Sequence, residues 1–141
     1  MSQLQNISLP GPTITPVSKP FWDSIKEGIL SLQQCDECRE WIFYPRNHCP
    51  HCFHDSLTWK QASGNGKLKT WSVIHRAGHP AWQEYTPYIV GVVQLAEGPS
   101  LLTHLPIKEA DLVYNMEVTL DIHSVGPHPL PFFKKKEEEH Q

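Results

Sequence analysis

The chain has no long apolar run, little charge of either sign and no internal repeat. No stretch of its 141 residues approaches the ~20 consecutive apolar residues that a membrane span requires, which excludes a helical membrane protein. Charged residues make up only 19%, and 12 Lys plus Arg stand against 15 Asp plus Glu, a formal net charge of -3. A duplex-binding protein is ordinarily clearly basic, so this balance argues against nucleic acid. The start, Met1-Ser2-Gln3-Leu4-Gln5-Asn6, has neither basic residues ahead of a hydrophobic segment nor a small-residue cleavage site. No signal or transit peptide is expected there, and the expected location is the cytoplasm. Cysteine is also scarce, with four in the chain, and all four fall within eighteen residues.

Those four form two C-x2-C pairs, Cys35-Asp-Glu-Cys38 and Cys49-Pro-His-Cys52. In a reducing cytosol disulfides are disfavoured, and two such tight turns converge on one tetrahedral ion. A structural Zn2+ held by Cys35, Cys38, Cys49 and Cys52 is the simplest reading. Iron in a rubredoxin-like site is the alternative, since all-thiolate tetrahedra accept either metal. His48, His51 and His54 interleave with the second pair, but four thiolates already close the coordination sphere. They read as surface groups or neighbours of the ligands, and no open position is left for a metal-bound water nucleophile.

Proline occupies 13 positions, well above the usual share, and divides the chain into short pieces. Residues 1–17, with Pro10-Gly-Pro12 and Pro16, show no periodicity and read as an extended arm. Residues 18–30 read as a helix: Ser18 is a candidate cap, Pro20 suits the first turn, Phe21, Trp22, Ile25 and Ile29 recur at helical spacing, and Gly28 marks the end. Residues 31–60 read as the metal ribbon, with a strand entering the first turn (29–34) and a second leaving it (41–45).

Residues 61–133 read as a small barrel. Gly64-Asn65-Gly66 is expected to turn, followed by strands over 67–76, 88–96, 100–105 and 116–123, with Glu97-Gly98-Pro99 as a hairpin. Alternation in the first strand puts Leu68, Thr70, Ser72 and Ile74 on one side and Lys67, Lys69, Trp71 and Val73 on the other. Four or five short strands suit an OB-fold, whose closure removes the edge strands. Residues 134–141 read as a solvated charged tail. The fold class is therefore mostly β: an N-terminal helix, a zinc ribbon and a small OB-fold barrel. Between Asp55 and Glu84 there is no acid, while Lys60, Lys67, Lys69 and Arg76 lie there, the best anion-binding candidate in the chain.

The order of motifs is itself informative: Lys19-Pro-Phe-Trp22, Glu27-Gly-Ile-Leu30, the two cysteine pairs with Phe43-Tyr-Pro-Arg46 between them, and Ser63-Gly-Asn-Gly66. It continues through Thr70-Trp-Ser-Val-Ile-His-Arg76, Val90-Gly-Val-Val-Gln-Leu-Ala-Glu-Gly98 and Leu130-Pro-Phe-Phe133. From about Lys19 to Phe133 the chain resembles the acyl-CoA-associated OB-fold proteins with a rubredoxin-like zinc ribbon, domain of unknown function thirty-five. The resemblance implies a non-catalytic subunit that binds or shelters acyl-CoA and partners a thiolase-like enzyme or a hot-dog-fold hydratase. Three positions depart from the family pattern, Arg39, Phe53 and Asn115, where glycine is common. A CoA thioester needs cations, an aromatic surface and an apolar slot, which Lys67, Lys69, Arg76 and Trp71, with Trp82, are candidates to supply.

Two other classes compete. A single-stranded nucleic-acid module is the first, since OB-folds and zinc ribbons both occur there and aromatic side chains stack on bases. An independent enzyme acting on acyl-CoA is the second, with His75, His79 and Glu84 near one another in sequence, although no nucleophile or phosphate motif accompanies them. The small ribbon buries little surface alone, so a homo- or hetero-oligomer is expected.

Overall fold

A computed structural model describes residues 12–136. The sequence expectations for 1–11 and 137–141 lie outside the described residues. Helix α1, Lys19–Lys26, carries Pro20 in its first turn and buries Phe21 and Ile25, a pair four residues apart on one face. It is shorter than residues 18–30. Gly28, at φ +84°, turns the chain out, because only a residue without Cβ takes that conformation freely. Ser18 precedes the helix without a side-chain cap; its hydroxyl instead accepts a 2.9 Å bond from the Thr15 N–H.

The ribbon is a three-stranded antiparallel sheet in the order β2-β1-β3, with β1 at Ser31–Cys35, β2 at Trp41–Ile42 and β3 at Leu57–Gln61. Strand β2 stops two residues in, well short of the expected 41–45. Strand β3 has no counterpart in the sequence pattern, and it makes the ribbon's longest pairing, running from Ser31 opposite Gln61 to Cys35 opposite Leu57.

The barrel strands are β4 (Asn65–Ile74), β5 (Tyr88–Leu95), β6 (Ser100–His104), β7 (Glu117–Val125) and β8 (His128–Lys135), in the order β6-β5-β4-β7-β8. The two edges nearly meet. The Thr103 hydroxyl on β6 donates a 2.9 Å bond to the Pro131 carbonyl on β8, and His104 stacks on Phe132 at 4.9 Å. This is the OB-fold layout: three meander strands, then a hairpin that closes on the far edge. Glu97-Gly98-Pro99 joins β5 to β6 as the sequence suggests. Asn65 and Gly66, however, belong to β4 rather than to a turn. Gly66 has to be glycine, because a Cβ there would meet the Gln94 carbonyl and Val93 at 2.7 Å.

Strand β8 is not announced by the sequence pattern. It takes Lys134 and Lys135 into the sheet opposite Thr119 and Val118, so the ordered barrel runs past Phe133 into residues read as tail. Alternating prolines hide this strand from propensity: Pro129 and Pro131 cannot donate to a ladder, yet an edge strand tolerates them.

One core serves helix, ribbon and barrel. Phe21 and Ile25 from α1, Leu30 and Leu32 from the ribbon, and Leu68, Val93, Leu101, Val118 and Phe133 from the barrel form a single buried cluster. The cysteine end of the ribbon has its own much smaller cluster, Cys35, Ile42 and Cys49, with Cys52 and Leu57 against it.

Candidate metal centre and ligand surface

Each cysteine pair sits on a tight turn that returns on itself. The Arg39 N–H donates to the Cys35 carbonyl at 3.0 Å and the Phe53 N–H to the Cys49 carbonyl at 2.8 Å. Closing such a turn places the residue after the second cysteine in the left-handed region, and Arg39 and Phe53 both lie at φ +66°. The third departure, Asn115, lies at φ +67°. All three positions noted for lacking glycine are therefore the positions where the backbone asks for it.

The turns bring the four sulfurs together, all within 4.8 Å of one another. The Cys35 and Cys52 sulfurs are 3.5 Å apart, and those of Cys38 and Cys49 are 3.6 Å apart. Disulfide sulfurs lie at about 2.05 Å, so these are free thiols. A tetrahedron with metal–sulfur bonds of about 2.3 Å has edges of about 3.8 Å, close to these separations. The donor set thus fits one tetrahedral thiolate-bound ion.

Local electrostatics favour thiolate at two of the four sites. The Cys38 backbone N–H, opposed by burial and aided by the Glu37 N–H, holds the Cys35 thiol below its ordinary value. At Cys49 burial opposes ionisation, but the N–H groups of Cys52 and His51 and the neighbouring thiols outweigh it and bring the group down to about 7. Cys38 is pushed up to about 12: the Glu40 N–H lowers it, while burial and bonds to the other three thiols together win. Sharing four sulfurs among protons is unfavourable, and a divalent cation resolves it by replacing them.

The histidines lie outside the sulfur set. His54 Nδ1 is 3.2 Å from the Cys52 sulfur, and His48 and His51 are exposed. Sequence reasoning missed two clasps that hold the turns. The Asp36 carboxylate accepts from the hydroxyls of Ser56 at 2.7 Å and Thr58 at 2.8 Å, which hold it below the usual carboxylate range. The buried Gln33 side chain bonds both the N–H and the carbonyl of Arg46. Neither clasp has a sequence signature, because partners 13 to 22 residues apart are set only by β3 and the ribbon's return.

The proposed ligand residues are scattered along one strand. Strand β4 carries a bulge: Leu68 pairs with Val93 but Thr70 with Val92, leaving Lys69 as the extra residue. A bulge inverts the alternation beyond it. Lys67 is exposed beside buried Leu68, whereas past the bulge Thr70 and Ser72 face out and Trp71 and Val73 pack on the core. Lys67 and Trp71 therefore do not share a face, contrary to the sequence alternation. Lys69 Nζ bonds the Asn115 side-chain oxygen at 2.6 Å and stands 5.6 Å from the Tyr114 ring centre, and Arg76 is exposed beyond the strand. Lys67 and Ile74 are seven residues apart, about 23 Å of strand at ~3.3 Å per residue, so Lys67 and Arg76 do not meet one phosphate.

Lys67 lines a cleft of about 300 Å³ with Gln94, Glu117 and Lys136. Glu117 stands opposite Lys67 across β4 and β7, which makes a cross-strand charge row of this cleft. At the other end of β5 a cleft of about 330 Å³ opens between the β4–β5 connection and residues 104–108. Among the described residues no helix is long and apolar enough to cross a membrane.

A four-cysteine ribbon sharing its core with a five-stranded OB barrel defines a two-module class of protein. Residues 22–58 match the model described as "ChsH2, rubredoxin-like zinc ribbon domain", and residues 59–123 match "ChsH2, C-terminal OB-fold domain". The chain belongs to the DUF35 family. It is 30% identical to a DUF35 domain-containing scaffold protein of Pyrococcus furiosus over 71% of this chain and 74% of that one. It is 33% identical to a probable enoyl-CoA hydratase alpha subunit of Thermomonospora curvata over 89% of this chain, and spans only 39% of that relative's length. Among solved structures it is similar to a chain of the Ltp2-ChsH2(DUF35) aldolase, with 31% identity, a TM-score of 0.77, and coverage of 88% of this chain and 98% of that one. A DUF35 protein of Sulfolobus solfataricus, at 14% identity and a TM-score of 0.61, shares the fold.

Proposed function

We propose that this protein is a non-catalytic subunit of an acyl-CoA enzyme complex in the cytoplasm, partnering a thiolase-like enzyme or a hydratase and binding acyl-CoA. The observation that carries the reading is the match, along nearly the whole described chain, to the DUF35 chain of an aldolase complex. The names scaffold protein and hydratase alpha subunit among the relatives support the same role. In this reading Zn2+ sits on Cys35, Cys38, Cys49 and Cys52 and is structural, since four thiolates leave no coordination position for substrate. It would tie the two turns together and supply no reaction step.

The head group of acyl-CoA is assigned to the cationic length of β4 and its continuation, Lys67, Lys69 and Arg76, while Trp71, the aromatic candidate of the set, is half-buried against the core on the opposite face from Lys67. Because the strand spreads these groups apart, a phosphate engages one end of the set. Alanine substitutions at Lys67, Lys69 and Arg76, read by calorimetry with acyl-CoA, locate that end; unchanged affinity in all three removes the assignment.

The functional test is affinity purification from native extract followed by mass spectrometry. Stoichiometric recovery of a thiolase-fold or hydratase-fold enzyme, as a hetero-oligomer larger than 16.2 kDa, is the expected result. A monomer that recovers neither sinks the proposal.

A further inference from the structure

The cleft at the far end of β5 has the makings of a chain-binding slot. It is lined by Tyr85, Tyr88, Ile89, His104, Leu105 and Ile107, and by Pro87, Pro106 and Lys108 at its margins. Its floor is rigid. Trp82 stacks on His104 at 4.7 Å, His104 on Phe132 at 4.9 Å, and Phe132 on His123 at 5.1 Å, a column that ties the β4–β5 connection to both closing edges of the barrel. Of its two histidines, His104 lines the cleft and adds no charge at neutral pH, because burial pulls it down to about 4, while His123 Nε2 faces the Asp121 carboxylate at 2.7 Å.

One cation borders this apolar surface. Lys108 is exposed and takes part in neither of the ion pairs found among the described residues. Arg76 follows the same end of β4, two residues beyond Ile74, which pairs with Tyr88. A slot of rings and branched side chains bordered by a lysine suits a chain that is apolar along its length and ends in a carbonyl or carboxylate oxygen. We infer that this cleft holds the acyl chain of a CoA thioester or of a free carboxylic acid, with Lys108 facing the thioester carbonyl of the one or the carboxylate of the other. The inference rests on the acyl-CoA reading above and gives the acyl end its place in the barrel, away from Lys67.

The test uses the full chain with butanoyl-CoA, octanoyl-CoA, octanoate and CoA itself, followed by tryptophan fluorescence with Trp82→Phe as the attribution control. Each buried methylene is worth about fourfold in affinity, so octanoyl-CoA is expected to bind at least tenfold tighter than butanoyl-CoA. A saturable signal is expected with octanoyl-CoA and octanoate, not with CoA, and is lost in Trp82→Phe. Ile107→Glu should weaken octanoyl-CoA by at least tenfold. Because Ile107 packs partly on the core, Lys108→Glu, at an exposed position, is the second variant and should weaken both acyl probes severalfold. Response to octanoyl-CoA alone points to the thioester as the source, and response to both admits the free acid. Binding of the CoA esters without chain-length dependence, or indifferent to both variants, overturns the cleft while leaving the acyl-CoA reading standing. No binding at all, in a protein that still recovers its enzyme partner, removes cleft and ligand together and leaves only the subunit role.

Discussion

The two ends of the ribbon solve the same packing problem with different materials. At the barrel end, Leu30 and Leu32 sit in a hydrocarbon core with Phe21, Ile25, Leu68 and Phe133, all at 2% exposure or less. At the cysteine end the buried cluster amounts to Ile42 between two thiols, with Cys52 and Leu57 at its edge. So few apolar atoms cannot offset the backbone entropy of two tight turns, and an ion bound by four thiolates is the cheapest substitute. The lesson is that metal dependence should belong to one end of a module and not to the module as a whole.

Removal of the metal is the largest expected effect and the sharpest way to break the comparison. Chelation, or Cys49→Ser, should unfold the two turns and β2, because metal binding supplies on the order of 10 kcal/mol in such sites. Hydrogen exchange should then rise across residues 35–58 while β4 to β8 stay protected. Loss of protection throughout would mean that the two ends are one cooperative unit. Elemental analysis of protein purified without added metal should find about one equivalent of zinc.

Acid offers the converse, a perturbation centred on the barrel. His104 has an ordinary value of 6.5 and is drawn to about 4 by burial, so the unfolded chain takes up a proton before the folded one does. Its contribution is fully present above 6.5, declines as pH falls, and is lost by about 4. The change is roughly 3 kcal/mol. Denaturant titrations between pH 7 and 4 should lose that stability, and His104→Phe should flatten the slope; a slope unchanged in the variant would place the titration elsewhere, including at the thiolates.

A smaller effect is expected in the barrel wall. At Gly91 a Cβ would meet the Thr70 carbonyl and Leu105 at 2.7 Å, so Gly91→Ala should cost about 1–3 kcal/mol in chemical denaturation with zinc content unchanged. The smallest is expected at the turns. Phe53 pays for a left-handed backbone while 76% exposed, and Phe53→Gly should change stability by about 1 kcal/mol or less, in the stabilising direction by thermal melting.

Much of this is legible in the sequence. Two C-x2-C pairs place four ligands because the turn geometry is local, and Pro20 and Gly28 punctuate α1 for equally local reasons. Short β-prone runs separated by glycine and proline give the barrel its strands, and the hairpin at Glu97-Gly98-Pro99 follows from three adjacent residues. What failed shares one feature, dependence on partners distant in sequence. Strand β3 exists because β1 offers it an edge, and β8 exists despite two prolines because β7 pairs along its whole length.

The bulge at Lys69 is the clearest case. Alternation across Lys67 to Ile74 reads as uninterrupted, and nothing local in it announces an extra residue; the closing barrel and the Asn115 segment, whose N–H bonds the Leu68 carbonyl at 2.7 Å, impose it. By itself, then, the sequence set four cysteines on two tight turns and fixed the order of modules, both consequences of neighbours along the chain, and its departures from the family's glycines at Arg39, Phe53 and Asn115 coincide with a left-handed backbone. Only the tertiary structure decided which side of β4 faces water, where the barrel ends and which rings enclose a cleft, because each is settled by hydrogen bonds and burial between segments tens of residues apart.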